Sequence, residues 1–155
     1  MTPAINLAKK HKIKHSVHQY EHDDNAASYG LEAAQKMDTD PQKIFKTLVV
    51  ALDDASLAVA IIPVQNMLSL KAIAKVLGAK KAMMADKEAV QRSTGYVLGG
   101  VSPLGQKKRL KTVLDESAMV LKSIYVSAGK RGLEIELDPK DMIKLLNAKV
   151  GLLTH

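Results

Sequence analysis

The sequence predicts a mixed α/β (α+β) fold in which helices flank a barrel-like, largely antiparallel sheet. Strand patterns cluster between residues 16 and 137, and short helical patterns lie between and around them. Tight turns join several of these strands, and such turns connect antiparallel neighbours. No linker, repeat or low-complexity segment divides the 155 residues, a length that suits one hydrophobic core. We therefore expect a single domain over residues 1–155.

The N-terminal elements are predicted from capping residues and strand periodicity. Thr2 is a favourable N-cap and Pro3 a favourable first helical residue, so a helix is expected to begin there. Ser16–His22 is predicted to be a strand whose alternate side chains share one face. Asn25–Gly30 is turn-like, and a short helix through Met37 is expected to follow.

The centre of the chain reads as a pair of buried strands. Ile44–Leu52 is apolar and β-branched, and Leu57–Pro63 follows after an aspartate-rich turn. Lys46 lies near the start of the first strand. It either extends its ammonium group to water at the sheet edge or is held in a functional site.

The remaining elements follow from caps, turns and short apolar runs. The first of them are a helix from Ser69 to Gly78, a strand around Met83, and a helix capped by Asp86 and ending at Thr94. A strand from Leu110 to Leu114 and a short helix from Glu116 to Met119 follow. Two hairpin strands, Ser123–Ser127 and Leu133–Leu137, are joined by a turn over Ala128–Gly132, and a last helix begins at Asp138 and Pro139.

Composition restricts the possible partners. The formal charge of +7 favours a polyanionic binding partner. A tRNA, a nucleotide and an acidic membrane surface all meet this condition. With one Phe, four Tyr and no Trp, base stacking on several aromatic rings is excluded. The absence of Cys excludes disulfides, thiolate metal sites and a cysteine nucleophile. No apolar run is long enough to span a bilayer and no secretory signal is visible, so a cytoplasmic protein without membrane contact is expected.

Three histidines, His15, His18 and His22, invite a metal interpretation. On a strand, however, His15 would point to the face opposite the other two, and no carboxylate pattern completes a ligand set. We therefore expect surface histidines and no metal or other cofactor.

Gln91–Arg109, QRSTGYVLGGVSPLGQKKR, carries the most information. A glycine pair, a Ser-Pro corner and a third glycine precede three cations. Glycine lets a backbone approach a ligand closely, and successive N–H groups in a bend can hold an anion or an oxyanion. The alternative is an ordinary connection between strands with a solvated basic end, and the residue types alone leave both open.

Familiar catalytic motifs are missing. The sequence contains no nucleophile elbow, Walker loop, dinucleotide-binding turn or zinc-protease helix. It carries instead a lysine in a buried strand, two glycine-rich bends and a basic surface. This equipment suits holding a phosphorylated substrate and polarising a carbonyl with backbone donors, without a strong nucleophile of its own.

Several segments together resemble the YbaK family of free-standing Cys-tRNA(Pro) deacylases, which is related to the editing (insertion) domain of bacterial prolyl-tRNA synthetases. The matching segments are MTPA, YEHD at residues 20–23, FKTLVV at 45–50, LGAKKAMMAD at 77–86, the whole of Gln91–Arg109, and IYVSAGKRGLEIELDP at 124–139. They span nearly the whole chain. The resemblance implies the barrel-like editing-domain fold and trans-editing, the cleavage of the ester between a misattached cysteine and tRNA(Pro), with Cys-tRNA(Cys) as a further substrate.

The resemblance also implies roles for particular residues. Lys46 and Gly100 match the catalytic positions. The substrate-binding positions are Tyr20, Tyr29, Thr47, Gly99, Val101, Ser102, Ser127, Gly129 and Asp138, and the tRNA-contacting cations are Lys107, Lys108, Arg109, Lys130 and Arg131. Tyr29 stands where close relatives commonly carry Phe, and Ala128 where they often carry Gly. Either difference would change the pocket.

In the mechanism implied by the resemblance, backbone N–H groups near Gly99 to Val101 polarise the ester carbonyl and Lys46 positions the terminal adenosine or its phosphate. The thiol of the substrate cysteine then attacks its own ester. Two alternatives stay open: a deacylase for another mischarged tRNA such as Ala-tRNA(Pro), and a non-catalytic module that binds tRNA or a synthetase. Mischarged tRNA(Pro) is the expected partner, and prolyl-tRNA synthetase is a further candidate.

Overall fold

A computed structural model describes residues 1–24 and 29–155, with the side chain of residue 29 outside the described part. The predicted turn over Asn25–Gly30 therefore falls mostly outside the described residues. The described helices are α1 (Pro3–Lys10), α2 (Tyr29–Lys36), α3 (Leu70–Val76), α4 (Lys87–Thr94) and α5 (Pro139–Leu146). The described strands are β1 (His15–Gln19), β2 (Phe45–Leu52), β3 (Leu57–Pro63), β4 (Ala82–Met84), β5 (Lys111–Asp115), β6 (Ile124–Lys130), β7 (Leu133–Leu137) and β8 (Lys149–Gly151).

The strands form two sheets. One has three antiparallel strands in the order β1-β7-β6. The other has five strands in the order β4-β2-β3-β5-β8 and is mixed, because β3 pairs in parallel with β5 and β5 with β8. The prediction of a mixed, largely antiparallel α+β fold is confirmed at this level. The prediction of one barrel-like sheet is not confirmed, since no closed barrel is found among the pairings of the described strands.

Two features of the five-stranded sheet were not predicted. Strand β5 lies parallel to β3 because α3, β4 and α4 form a long crossover between them, as parallel neighbours require. Strand β8 lies beyond Leu137, where no strand was expected. Its three residues carry little apolar character of their own and are fixed by pairing with β5, as in the register of Val150 with Leu114.

The main hydrophobic core lies between the two sheets. It joins Phe45 and Ile61 of the five-stranded sheet with Val126 and Ile135 of the three-stranded sheet. A separate apolar cluster on the other side of β2 and β3 packs under Ile73 of α3. The two faces of β2 are therefore both covered by protein, which explains its near-continuous apolar sequence.

The predicted helix caps are confirmed by their hydrogen bonds. The side chains of Thr2, Ser69 and Asp86 each accept the backbone N–H three residues later, at the starts of α1, α3 and α4. Asp138 caps α5 by accepting the Lys140 N–H at 2.8 Å. None of the described helices has the length and apolar character needed to cross a bilayer.

The β6–β7 hairpin is tighter than predicted. A turn was expected over Ala128–Gly132, but β6 continues to Lys130, and a bulge between Ser127 and Lys130 absorbs the extra residues. Gly129 has φ +114°, which the bulge requires and which a side chain would strain. The bulge turns the end of the hairpin towards the loop that follows α4.

Candidate active site

A cavity of about 310 Å³ opens where the start of β2 faces the β6–β7 hairpin. Next to it an isolated parallel bridge joins Ile44 to Tyr125, so the two sheets meet at this point. The lining residues are Tyr20, Gly30, Phe45, Lys46, Thr47, Leu48, Val64, Leu98, Gly99, Val101, Ser127, Lys130, Arg131 and Glu134. Residues predicted as functional from distant parts of the sequence are thus brought together.

Lys46, the predicted catalytic lysine, lines this cavity and is half-buried. Burial disfavours the charged ammonium group and lowers the pKa of Lys46. Within residues 1–24 and 29–155 no carboxylate pairs with it. A partly desolvated cation without an anionic partner is well placed to bind an anionic substrate group.

Two hydroxyl groups lie in the same cavity. The buried Oγ1 of Thr47 forms no hydrogen bond with any described residue. The Oγ of Ser127 accepts the Gly129 N–H at 3.1 Å, which leaves its own proton free to be donated. A buried hydroxyl without a partner is costly in a folded protein, so Thr47 is suited to hydrogen bonding a ligand.

Glu134 is a cavity residue that the sequence interpretation missed. It stands opposite Ser127 in the β6–β7 register, it is 7 % exposed, and burial raises the pKa of its carboxyl group to about 8. In the segment LEIEL, residues 133–137, apolar and acidic residues alternate, and this pattern suggests that Glu134 faces solvent. Only the packing of the hairpin against β2 shows that this face is covered.

Tyr20 lies beside Glu134. Its backbone N–H donates to the Gly132 carbonyl at 2.9 Å, which extends the β1–β7 pairing by one residue beyond β1. Burial, together with the negative charge of Glu134, raises the pKa of Tyr20 to about 12. The phenol therefore stays protonated near neutral pH and can donate a hydrogen bond into the cavity.

The glycine pair forms a tight turn at the mouth of the cavity. The Gly100 N–H donates to the Val97 carbonyl at 3.0 Å, and Gly99 has φ +88°, as a type II turn requires. The N–H of Gly100 is thus already used, whereas those of Gly99 and Val101 find no acceptor among the described residues. A Cβ at Gly100 would approach the Lys130 Cα to 2.8 Å, so this glycine allows the loop to contact the hairpin.

Other predicted substrate-binding residues lie outside the cavity wall. Ser102 is fully buried, and its Oγ accepts the Leu104 N–H at 3.2 Å. Gly129 forms the bulge behind Ser127. Asp138 caps α5 and lies four residues beyond the cavity residue Glu134. Along an extended strand, this separation corresponds to about 13 Å. The side chain of Tyr29 is outside the described part of the chain.

The five predicted tRNA-contacting cations are divided between two places. Lys130 and Arg131 line the cavity, and Arg131 also donates from Nη2 to the Leu98 carbonyl at 3.2 Å. Lys108 and Arg109 line a second cavity instead. Lys107 is exposed and lies over Gly95.

The three histidines have separate partners. His15 Nδ1 lies 2.7 Å from the Ile13 carbonyl, and His18 pairs with Glu136 at 3.0 Å. His22 Nδ1 lies 2.7 Å from Glu32 Oε1. In the part of the chain that the structure describes, no three metal-ligating side chains come together.

Fold and cavity together define an α+β protein with a small cavity that carries three cationic side chains and one buried carboxyl group. The chain belongs to the aminoacyl-tRNA editing domain family, which matches residues 24–145. Over 153 residues the chain is 35% identical to EbsC of Enterococcus faecalis, which is named as a candidate Cys-tRNA(Pro)/Cys-tRNA(Cys) deacylase. The aligned region covers 99% of this chain and 93% of that protein.

Solved structures show the same fold. A crystal structure of a candidate trans-editing enzyme for prolyl-tRNA synthetase superimposes with a TM-score of 0.83 at 24% identity, covering 98% of this chain and 92% of the other. The crystal structure of a hypothetical protein gives a TM-score of 0.88 at 20% identity, covering 99% of each chain. The expected family and the α+β editing-domain architecture are therefore confirmed.

Proposed function

We propose that this chain is a trans-editing deacylase that cleaves the ester of Cys-tRNA(Pro), and that residues 1–155 act as one editing domain. The observation that carries the proposal is the charge pattern of the cavity in a member of this family. Lys46, Lys130 and Arg131 offer positive charge, and Glu134 offers a buried carboxyl group. An aminoacylated nucleotide presents the complementary pair, a phosphate and an α-ammonium group.

In the proposed binding mode the cations of the cavity bind the terminal phosphate or the adenosine, and Glu134 accepts a hydrogen bond from the substrate ammonium group. The positive charge of that group favours the ionised form of Glu134, whose proton leaves to solvent. The small cavity then fixes the ester between the turn at Gly99 and the hydroxyl of Thr47. Fixing reacting groups in this way lowers the entropic part of the barrier.

The ester carbonyl is polarised by backbone donors. We assign this role to the N–H groups of Gly99 and Val101, because the N–H of Gly100 is already bonded to Val97. Gly100 contributes by letting the loop contact the Lys130 backbone. The predicted catalytic role of Gly100 thus becomes a positioning role in this proposal.

The nucleophile is the thiol of the substrate. Its sulfur attacks the ester carbonyl carbon, the bond from that carbon to the ribose oxygen breaks, and the thiol proton ends on the ribose hydroxyl. The product is a cysteine thiolactone, which water then opens. A chain without cysteine needs no nucleophile of its own for this step, because part of the thiol is already thiolate near neutral pH.

The test is deacylation of tRNA(Pro) charged with Cys, Ser, Ala or Pro by the purified protein. We expect rapid loss of Cys and much slower loss of Ser, because serine is nearly isosteric but lacks the thiol. Rapid cleavage of Ala-tRNA(Pro) would identify the alternative deacylase. Binding of tRNA without cleavage of any ester would identify a non-catalytic module.

The wider setting follows from the same proposal. Cys-tRNA(Pro) arises from misacylation by prolyl-tRNA synthetase, which makes that enzyme the candidate partner, and the reaction belongs in the cytoplasm. Co-purification with the synthetase, in the presence and absence of tRNA(Pro), tests whether the two proteins form a complex.

A further inference from the structure

A basic groove lies apart from the cavity. Three adjoining hollows of about 260, 300 and 280 Å³ share residues with one another: His11 and Leu145 join the first two, and Arg109 and Leu146 join the first and third. They form one groove that runs between the end of α1, the loop before β5, the second half of α5 and the start of β8. We call this the basic groove.

Its walls carry a strong excess of positive charge. Lys108, Arg109, Lys111, Lys144 and Lys149 line it together with His11, and Asp141 is the one carboxylate among the lining residues. All five lysines and arginines are exposed. The ion pairs within the described ranges lie elsewhere, around β1 and α2, so none of these cations forms an ion pair there.

A purely structural explanation covers part of this charge. Lys144 lies in the last turn of α5, where a cation stabilises the negative end of the helix dipole. Hydrogen bonds from Ser56 and, to a smaller extent, the charge of Lys111 lower the pKa of Asp54. Lys108, Arg109 and Lys149 lie outside the helices and have no comparable structural role.

Helix α1 runs from the neighbourhood of the cavity to the groove. Thr2 donates a hydrogen bond to the Ala128 carbonyl, directly beside the cavity residue Ser127, while His11 lines the groove. The nine intervening steps at ~1.5 Å each place these two residues about 13 Å apart. Roughly four nucleotides, at ~3.4 Å each along a strand, would span a separation of this order.

We infer that the basic groove binds the sugar–phosphate backbone of the acceptor stem while the 3′ end of the same RNA occupies the cavity; this rests on the proposed function. A groove fits a rod-like polyanion, whereas a flat bilayer surface would reach only its rim. The lining residues include no aromatic side chain except His11, so contacts are to phosphates and not to stacked bases.

The test compares two variants of equal net charge. Lys144→Gln with Lys149→Gln removes two groove charges, and Lys71→Gln with Lys122→Gln removes two exposed charges that line neither the groove nor the cavity. The probe is a hairpin RNA with an unpaired 3′ end, with affinity measured between 50 and 200 mM KCl. Each lost phosphate contact lowers the salt slope by about 0.7–0.9. The affinity deficit of the groove variant should therefore shrink roughly tenfold across this range.

Asp141→Asn supplies a test of opposite sign, because removing the one lining carboxylate should tighten RNA binding. Equal salt slopes for the groove variant and its control would overturn the inference. So would binding to phosphatidylserine vesicles without binding to the hairpin.

Cleavage of cysteinyl-adenosine separates this inference from the proposed function. Cysteinyl-adenosine has no acceptor stem, so the groove variant should cleave this small ester as fast as the wild type does. The KM of the variant for charged tRNA should rise. If the wild-type protein cleaves neither substrate, the proposed function is contradicted. The affinities for the hairpin RNA then still test whether the basic groove binds RNA.

Discussion

The cavity and the basic groove place lysines in two different environments. In the cavity, Lys46 is half-buried and its pKa is lowered by desolvation. In the groove, Lys144 and Lys149 are exposed to solvent. A single desolvated charge interacts strongly and at short range, whereas exposed charges act weakly, additively and under salt screening.

Because of this difference, we expect substitutions in the cavity and in the groove to affect different steps of the reaction. A substitution in the cavity is expected to change turnover, because it alters the position and polarisation of the reacting ester. A substitution in the groove is expected to change binding and its salt dependence, because it removes one of several phosphate contacts. Each of the following predictions tests one side of that division.

The largest effect is expected for Lys46→Ala. Turnover of Cys-tRNA(Pro) should fall roughly a hundredfold or more, because a positioning charge in a desolvated site is lost. The fold should persist, since Lys46 is only half-buried. Lys43→Ala, an exposed lysine just before β2, is the matched control, and single-turnover rates with circular dichroism are the measurements. Near-normal turnover of the Lys46 variant would remove that residue from the mechanism.

Gly100→Ala is expected to have the next largest effect. The new Cβ would lie 2.8 Å from the Lys130 Cα, and because that atom is backbone it cannot move aside cheaply. Overpacking of this kind costs about 1–3 kcal/mol. The displaced loop should also slow turnover about tenfold by moving the N–H groups of Gly99 and Val101. Denaturant unfolding and single-turnover rates measure the two effects, and unchanged values in both would show that the contact tolerates a methyl group.

Glu134→Gln should change how stability depends on pH. In the folded protein Glu134 stays protonated up to about pH 8, whereas in the unfolded chain it ionises near its ordinary pKa of 4.5. The native state therefore binds one more proton between these values, and the free energy of unfolding should fall as pH rises through this window. In the Gln variant this fall should disappear.

Glu136→Gln is the matched control, two residues along the same face of β7. Burial opposes ionisation of Glu136, but hydrogen bonds with Ser123 and His18 outweigh it and lower its pKa. Its stabilising effect is therefore present above the ordinary pKa and lost as pH falls below it. Urea unfolding from pH 4 to 8 distinguishes the two variants. A wild-type curve that stays flat between pH 5 and 8 would contradict the buried, protonated state of Glu134.

The smallest effect concerns neighbouring lysines at the edge of the groove. Lys108 lines the groove and Lys107 does not, although both follow the same loop. Lys108→Gln should raise KM for charged tRNA about two- to threefold at low salt and lower the salt slope by about 0.7–0.9. Lys107→Gln should change both less, and the chemical step at saturation should be unchanged in each. Equal effects would show that the whole basic stretch acts as one solvated surface.

Local rules were sufficient for most elements. Thr2, Ser69 and Asp86 marked helix starts because a side-chain cap acts on N–H groups within three residues. The paired strands β2 and β3 were equally visible, since a short turn leaves antiparallel pairing as the expected arrangement. The family resemblance of the long motif at Gln91–Arg109 then implied Lys46 as the residue to examine.

The sequence by itself determined the caps, the buried strands, the excess of positive charge and the set of residues from which a site could be built. Tertiary structure decided which of them share a space. Glu134 reads as solvent-facing in an alternating strand and becomes buried only because the hairpin packs against β2. Asp138, four residues later, faces solvent as a helix cap. Whether a polar residue such as Glu134 is buried depends on which distant segment covers its face of the strand, and the alternation within one strand does not identify that segment.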